Sequence, residues 1–63
     1  MKILKELREE KGLTQAELGK ILGVGATCIG KYERGEREPS FSTLKEMCDY
    51  FEVSAGYLLD FEN

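Results

Sequence analysis

"GVGATCIGKYERG", Gly23 to Gly35, decides how the rest of the chain is read. Gly23 is placed to end one helix in a left-handed conformation that residues with a Cβ reach only at a cost. Gly25 or its neighbour opens another helix, from Ala26 to about Tyr32, and Gly35 stops it. Ile29 and Tyr32, three apart, give this helix an inward side, and Val24 fills the corner beneath it. Its other side carries almost nothing: Gly25, Ala26, Thr27, Cys28 and Gly30. A short helix after a tight turn, with so little on its outer surface, raises the question of what that surface meets.

Working upstream, Thr14 followed three residues later by Glu17 is a capping box, with Leu13 and Leu18 as a hydrophobic staple, so a helix starts at Gln15. Its expected inward face is Ala16, Leu18, Ile21 and Leu22. Before it, Ile3, Leu4 and Leu7 give a first helix one apolar stripe from about Lys2 to Lys11, stopped at Gly12. Downstream, Glu36 to Pro39 is a loop that Pro39 keeps extended. Ser40 then caps a fourth helix, in which Leu44, Met47, Cys48 and Phe51 fall at i, i+3, i+4 and i+7. Ser54 opens a short fifth helix carrying Tyr57, Leu58 and Leu59. The reading is all-α, without strands, as a single domain over residues 1–63.

A chain of 63 residues buries only about 60% of the surface its unfolded form exposes, so dimerisation would help it. Catalysis has no visible machinery: histidine is absent, Cys28 and Cys48 do not form a metal-ligand spacing, and no glycine-rich phosphate loop follows a strand. No metal, cofactor or small-molecule ligand is called for. With no secretory signal and no apolar run long enough to span a bilayer, the cysteines read as reduced thiols in a cytoplasm, a single disulfide being the alternative. Cys28 reads as a small, half-buried filler rather than a redox sensor.

The formal net charge of −3 conceals an asymmetry. Residues 1–40 hold eight Lys/Arg and seven Glu, whereas residues 41–63 hold Lys45 against Glu46, Asp49, Glu52, Asp60 and Glu62. The acidity is therefore in the tail. Lys20, Lys31, Arg34 and Arg37 cluster around the opening stretch, and a local patch of this kind steers a protein onto phosphate whatever the net charge. Ordinary solvated surface charge is the competing reading.

Two helices joined by a three-residue turn, the first capped by Thr, make a helix-turn-helix over about residues 14–33. The stretch "LREEKGLTQAELGKILGVGATCIGKYERGEREPSFSTLKEMCDYFEVSAGYLL" resembles the Cro/cI-type (XRE-family) helix-turn-helix domain of phage and bacterial repressors over nearly the whole chain. The combination "GLTQAELG", "ILGV", "KYERG", "REPS" and "TLKEMCDYFEVS" carries the resemblance. It implies a compact five-helix bundle, with the helix from Ala26 to Tyr32 in the major groove of DNA and the helix from Gln15 to Leu22 across the backbone. By the same resemblance Gln15 contacts a phosphate, and Arg8 forms a buried ion pair with Glu33 that ties the recognition helix to the first. Gly19 stands where the family usually has alanine, which implies a close helix crossing.

The chain departs from the family on the outer face of the third helix. Ser, Arg, Gln or Asn is common where this sequence has Gly25, Ala26, Thr27, Cys28 and Gly30, so most of the usual bidentate donors to guanine or adenine are missing. What is left for base readout is Ala26 against a thymine methyl, the Thr27 hydroxyl, close backbone approach at Gly30, and Lys31 toward guanine or phosphate. Gln15, Lys20, Gly25, Arg34 and Arg37 are the expected phosphate contacts. Tyr57, Leu58, Leu59 and Phe61 are more apolar residues than the core needs, and a two-fold pairing would cover the excess. The reading is a cytoplasmic transcriptional regulator, a repressor that binds a palindromic operator on double-stranded DNA as a homodimer. The alternative is a helix-turn-helix module, antitoxin-like, that acts through protein contacts.

Overall fold

Each helix begins where the backbone donors of its first turn are met, and the caps show how local sequence fixes the elements. The computed structural model describes residues 1–61; Glu62 and Asn63, which the expected single domain includes, lie outside the described residues. Five helices follow one another: α1 (Lys2–Glu10), α2 (Gln15–Leu22), α3 (Ala26–Arg34), α4 (Phe41–Phe51) and α5 (Ala55–Leu58). No strand is present among the described residues. The Thr14 hydroxyl accepts from the Glu17 N–H at 3.0 Å and Glu17 accepts from the Thr14 N–H at 2.8 Å, a reciprocal capping box. Ser40 and Ser54 cap α4 and α5 in the same way, accepting from the N–H groups of Thr43 and Tyr57.

The ends of the helices shift slightly from expectation. α1 stops at Glu10, one residue short of the sequence reading, because Lys11 already caps it and Gly12 turns the chain at φ 69°. α3 extends two residues beyond Tyr32, to Arg34, since the left-handed residue that terminates it is Gly35, at φ 76°. α4 ends without a glycine: Glu52 adopts the left-handed conformation itself, at φ 56°.

The core is built from Leu4, Leu18, Leu22, Ile29, Tyr32, Met47, Phe51 and Leu58, with Ile3, Leu7, Leu13, Val24 and Leu44 packed around it. Two members of the expected inward face of α2 are not in it: Ala16 is exposed and Ile21 is 46% exposed. The buried positions of α2 are Leu18, Gly19 and Leu22, a stripe displaced toward α3, because α3 rather than α4 is its main neighbour. Leu58, expected at a dimer interface, is fully buried. Adjacent residues of a helix point about 100° apart, so the single turn of α5 brings Leu58 inward to close the core and leaves Tyr57 exposed.

Candidate nucleic-acid interface

The angle between α2 and α3 is set by backbone contact. Gly23 takes the left-handed conformation at φ 75°, and the Val24 N–H reaches back to the Gly19 carbonyl at 2.8 Å, closing the turn on the last residues of α2. A Cβ on Gly19 would stand 2.5 Å from the Val24 carbonyl oxygen and 3.2 Å from the Gly25 carbonyl carbon. Gly19 is thus the point at which the turn lies directly on the helix before it.

A second constraint ties α3 to α1. Arg8 donates from Nε to Glu33 Oε2 at 2.6 Å and from Nη2 to Glu33 Oε1 at 3.2 Å, while its Nη1 donates to the Leu13 carbonyl at 2.7 Å. The side chains of Arg8 and Glu33 are only 10% and 3% exposed. Gln15 completes the arrangement by donating from Nε2 to Glu33 Oε1 at 3.1 Å. Burial alone would push the Glu33 carboxyl up, but the hydrogen bonds from Arg8 and Gln15 and the charges of Arg8 and Lys5 outweigh it and hold the group below the usual carboxylate range. The Arg8 guanidinium is stabilised in its charged form mainly by the same hydrogen bond. The Met1 amino group also donates to the Tyr32 carbonyl at 2.9 Å, placing a cation near the negative end of the α3 dipole.

The N-terminus of α3 carries no side-chain cap, because Gly25 occupies the capping position. Among the described residues the N–H groups of Ala26, Thr27 and Cys28 have no acceptor, and at the start of α2 the same holds for Gln15 and Ala16. Two neighbouring helix starts thus present free donors and the positive ends of their dipoles. Thr27 and Lys31 are exposed and Ala26 half-buried. Lys20, Lys31 and Arg37 are exposed, with no ion-pair partner among the described residues.

Two of the expected contact residues sit differently. Gly30 is buried: a Cβ there would lie 3.0 Å from Arg34 Nη1 and 3.3 Å from Gln15 Nε2, so these two side chains lie across it. Arg34 is not free either. It forms an exposed pair with Glu36, Nε to Oε2 at 2.7 Å, folded around the Gly35 turn. Sequence reasoning missed that pair, although oppositely charged residues flanking a glycine that reverses the chain are a readable signal. It also missed the hold of Glu33 on Gln15, for which the sequence gives no signal.

Around the remaining candidates, a hydrogen bond to the Cys28 thiol, then burial, pushes the Tyr32 hydroxyl up. Burial, then the charge of Asp49, pushes the Cys48 thiol up, away from thiolate chemistry. Leu59 is half-buried, Tyr57 is 44% exposed and Phe61 is 78% exposed. Leu59 and Phe61 line an open cavity of about 490 Å³ together with Tyr32, Pro39 and Leu44. Among the described residues no group of three or more His, Cys, Asp or Glu could hold a metal ion, and no helix is long and apolar enough to cross a membrane.

This geometry has relatives. The helix-turn-helix family profile (HTH_3) matches residues 4–58. The HTH-type transcriptional regulator ImmR of Bacillus subtilis strain 168 is 40% identical over 58 residues, which make up 92% of this chain and 46% of ImmR. The antitoxin PezA of Streptococcus pneumoniae is 34% identical over 53 residues, 84% of this chain and 34% of PezA. The chain spans about half the length of ImmR and comparable curated relatives. The crystal structure of the P22 c2 repressor in complex with synthetic operator 9T matches with a TM-score of 0.85 at 32% identity, over 90% of this chain and 86% of that one.

Proposed function

Because the chain belongs to the helix-turn-helix family, we propose that it is a sequence-specific, double-stranded-DNA-binding transcriptional regulator of repressor type, working in the cytoplasm without a cofactor. The observation that carries this reading is the likeness, at a TM-score of 0.85, to a repressor in complex with a synthetic operator. In this reading α3 enters the major groove, where Ala26, Thr27 and Lys31 meet base edges. The free N–H groups at Gln15 and Ala16 and at Ala26 to Cys28 take phosphates at the two helix starts, beside Gly25 and helped by Lys20, Arg37 and Arg34. Two copies pair through Tyr57, Leu59 and Phe61, the first and last of them exposed, and read a near-palindromic site with half-sites about 34 Å apart.

The deciding experiment is selection of bound duplexes from a random library, followed by titration of the winner against salt. If each of two subunits neutralises about three phosphates, log K falls with log salt at a slope near −5, from roughly −0.9 per phosphate. A salt-independent affinity, or no retained duplex, defeats the proposal. A second reading, an antitoxin-like module that works through protein contacts, is favoured by the likeness to PezA and by the sparse outer face of α3. It expects weak or no specific DNA binding, so that no sequence is enriched in the selection.

A further inference from the structure

From Ala26 to Tyr32, α3 has no amide or guanidinium side chain to read adenine or guanine, yet two such groups lie across Gly30: the Arg34 guanidinium, Nη1 3.0 Å from where a Cβ would be and engaged by Glu36, and the Gln15 amide. The Gln15 side chain crosses Gly30, its Nε2 and Oε1 standing 3.3 and 3.5 Å from where a Cβ would be. Its orientation is determined: a carboxylate accepts only, so the nitrogen must face Glu33, which it does at 3.1 Å. The Glu33 side chain, 3% exposed, is itself held on two atoms by Arg8, so the whole chain from α1 to the amide is fixed. The remaining N–H and the carbonyl oxygen of Gln15 have no partner among the described residues, and the residue is half-buried, so solvent still reaches it.

We propose that the Gln15 amide, oriented by Glu33 and laid over the side-chain-free Gly30, is a base-reading group of this protein and selects adenine at one position of each half-site. A phosphate offers acceptors only and would face the unpaired carbonyl oxygen unfavourably. Adenine presents N7 as acceptor beside N6–H as donor, which matches a free N–H beside a free carbonyl. Gly30 supplies the clearance, because any side chain there would push the amide aside or stand between it and the base edge. The phosphate contact at this helix start then falls to the Gln15 backbone N–H, which the side chain leaves free. Prior fixation of the amide also means that little rotamer freedom remains to be lost on binding.

This inference rests on the DNA-binding reading, and duplex selection with the wild type and the variants Gln15→Ala and Gln15→Lys separates the two. The wild type is expected to select an A·T pair at one position per half-site, with discrimination there on the order of 5- to 150-fold. Gln15→Ala should lose the preference at that position alone. Gln15→Lys keeps a donor for phosphate but has no acceptor, and should flatten the preference or turn it to guanine. If the wild type retains no duplex, the DNA-binding reading itself fails. If the wild type selects a site but has no such A·T position, or if both variants keep the wild-type preferences and only the overall affinity changes, Gln15 is a phosphate contact and the inference is overturned. Circular dichroism of each variant verifies that it is folded before selection.

Discussion

Replacing Arg8 with methionine should be among the most damaging single changes in the molecule. The substitution keeps the unbranched apolar stem and deletes a guanidinium that makes three hydrogen bonds, two to Glu33 and one to the Leu13 carbonyl. What it leaves behind is a carboxylate 3% exposed, with Gln15 as its remaining hydrogen-bond donor. Removing one partner of a buried pair costs about 3–5 kcal/mol, whereas a domain of this size has roughly 3–9 kcal/mol of stability in all, from about 0.05–0.15 kcal/mol per residue. Arg8→Met is therefore expected to lower Tm by about 12 °C or more, at about 4–8 °C per kcal/mol, measured by circular dichroism at neutral pH. The pH dependence gives a sharper test. In the wild type Glu33 titrates below the usual carboxylate range, so its contribution is present above the unfolded value of about 4.3 and is lost as pH falls through the lower folded value. Without Arg8, burial dominates and raises the carboxyl, which then protonates in the fold more readily than in the unfolded chain. The penalty of Arg8→Met should accordingly shrink as the pH is lowered. A loss of under about 1 kcal/mol, within the range of an exposed pair, or a penalty that grows in acid, would refute the reasoning.

Other outcomes follow from the same geometry. Gly19→Val brings a branched side chain against the Val24 carbonyl and should destabilise the domain by about 1–3 kcal/mol, the usual range for overpacking, in a urea titration. Leu58→Ala should cost about 2–5 kcal/mol as a core truncation, since Leu58 is fully buried. Phe61→Glu, at a site 78% exposed, should keep the helical circular dichroism but convert a dimer to monomer in sedimentation at micromolar concentration; a wild type that is already monomeric removes this interface. Thr27→Ala and Lys31→Ala are expected to change the selected duplex, whereas Lys20→Ala and Arg37→Ala should weaken all duplexes alike; unchanged selectivity throughout would mean that another face binds.

The helices were legible because their start signals are local. Thr14, Ser40 and Ser54 each cap the element that follows them, and the positive-φ glycines at 12, 23 and 35 mark the ends of the first three. Glu52 shows where this stops working, since nothing in its side chain announces a left-handed residue. Which face of a helix is buried depends on which neighbour it meets, and that is why Ala16 and Ile21 were misplaced while Leu18 and Leu22 were not. The Arg8–Glu33 pair was reachable only through resemblance, because its members are 25 residues apart. The lie of Gln15 and Arg34 across Gly30 depends on side-chain paths that no spacing rule encodes.

The bond between Arg8 and Glu33 secures α3 through side chains that are largely withdrawn from solvent, 10% and 3% exposed. Thr27 and Lys31 are therefore relieved of any duty in holding the fold together; both are exposed and neither belongs to the core. Substitutions at such positions usually change stability by no more than about 0.5 kcal/mol. A lineage, or an engineer, can thus exchange these two residues many times over without first acquiring compensating mutations elsewhere. The surface that would determine the molecule's address can drift freely while the scaffold that presents it stays under strict constraint.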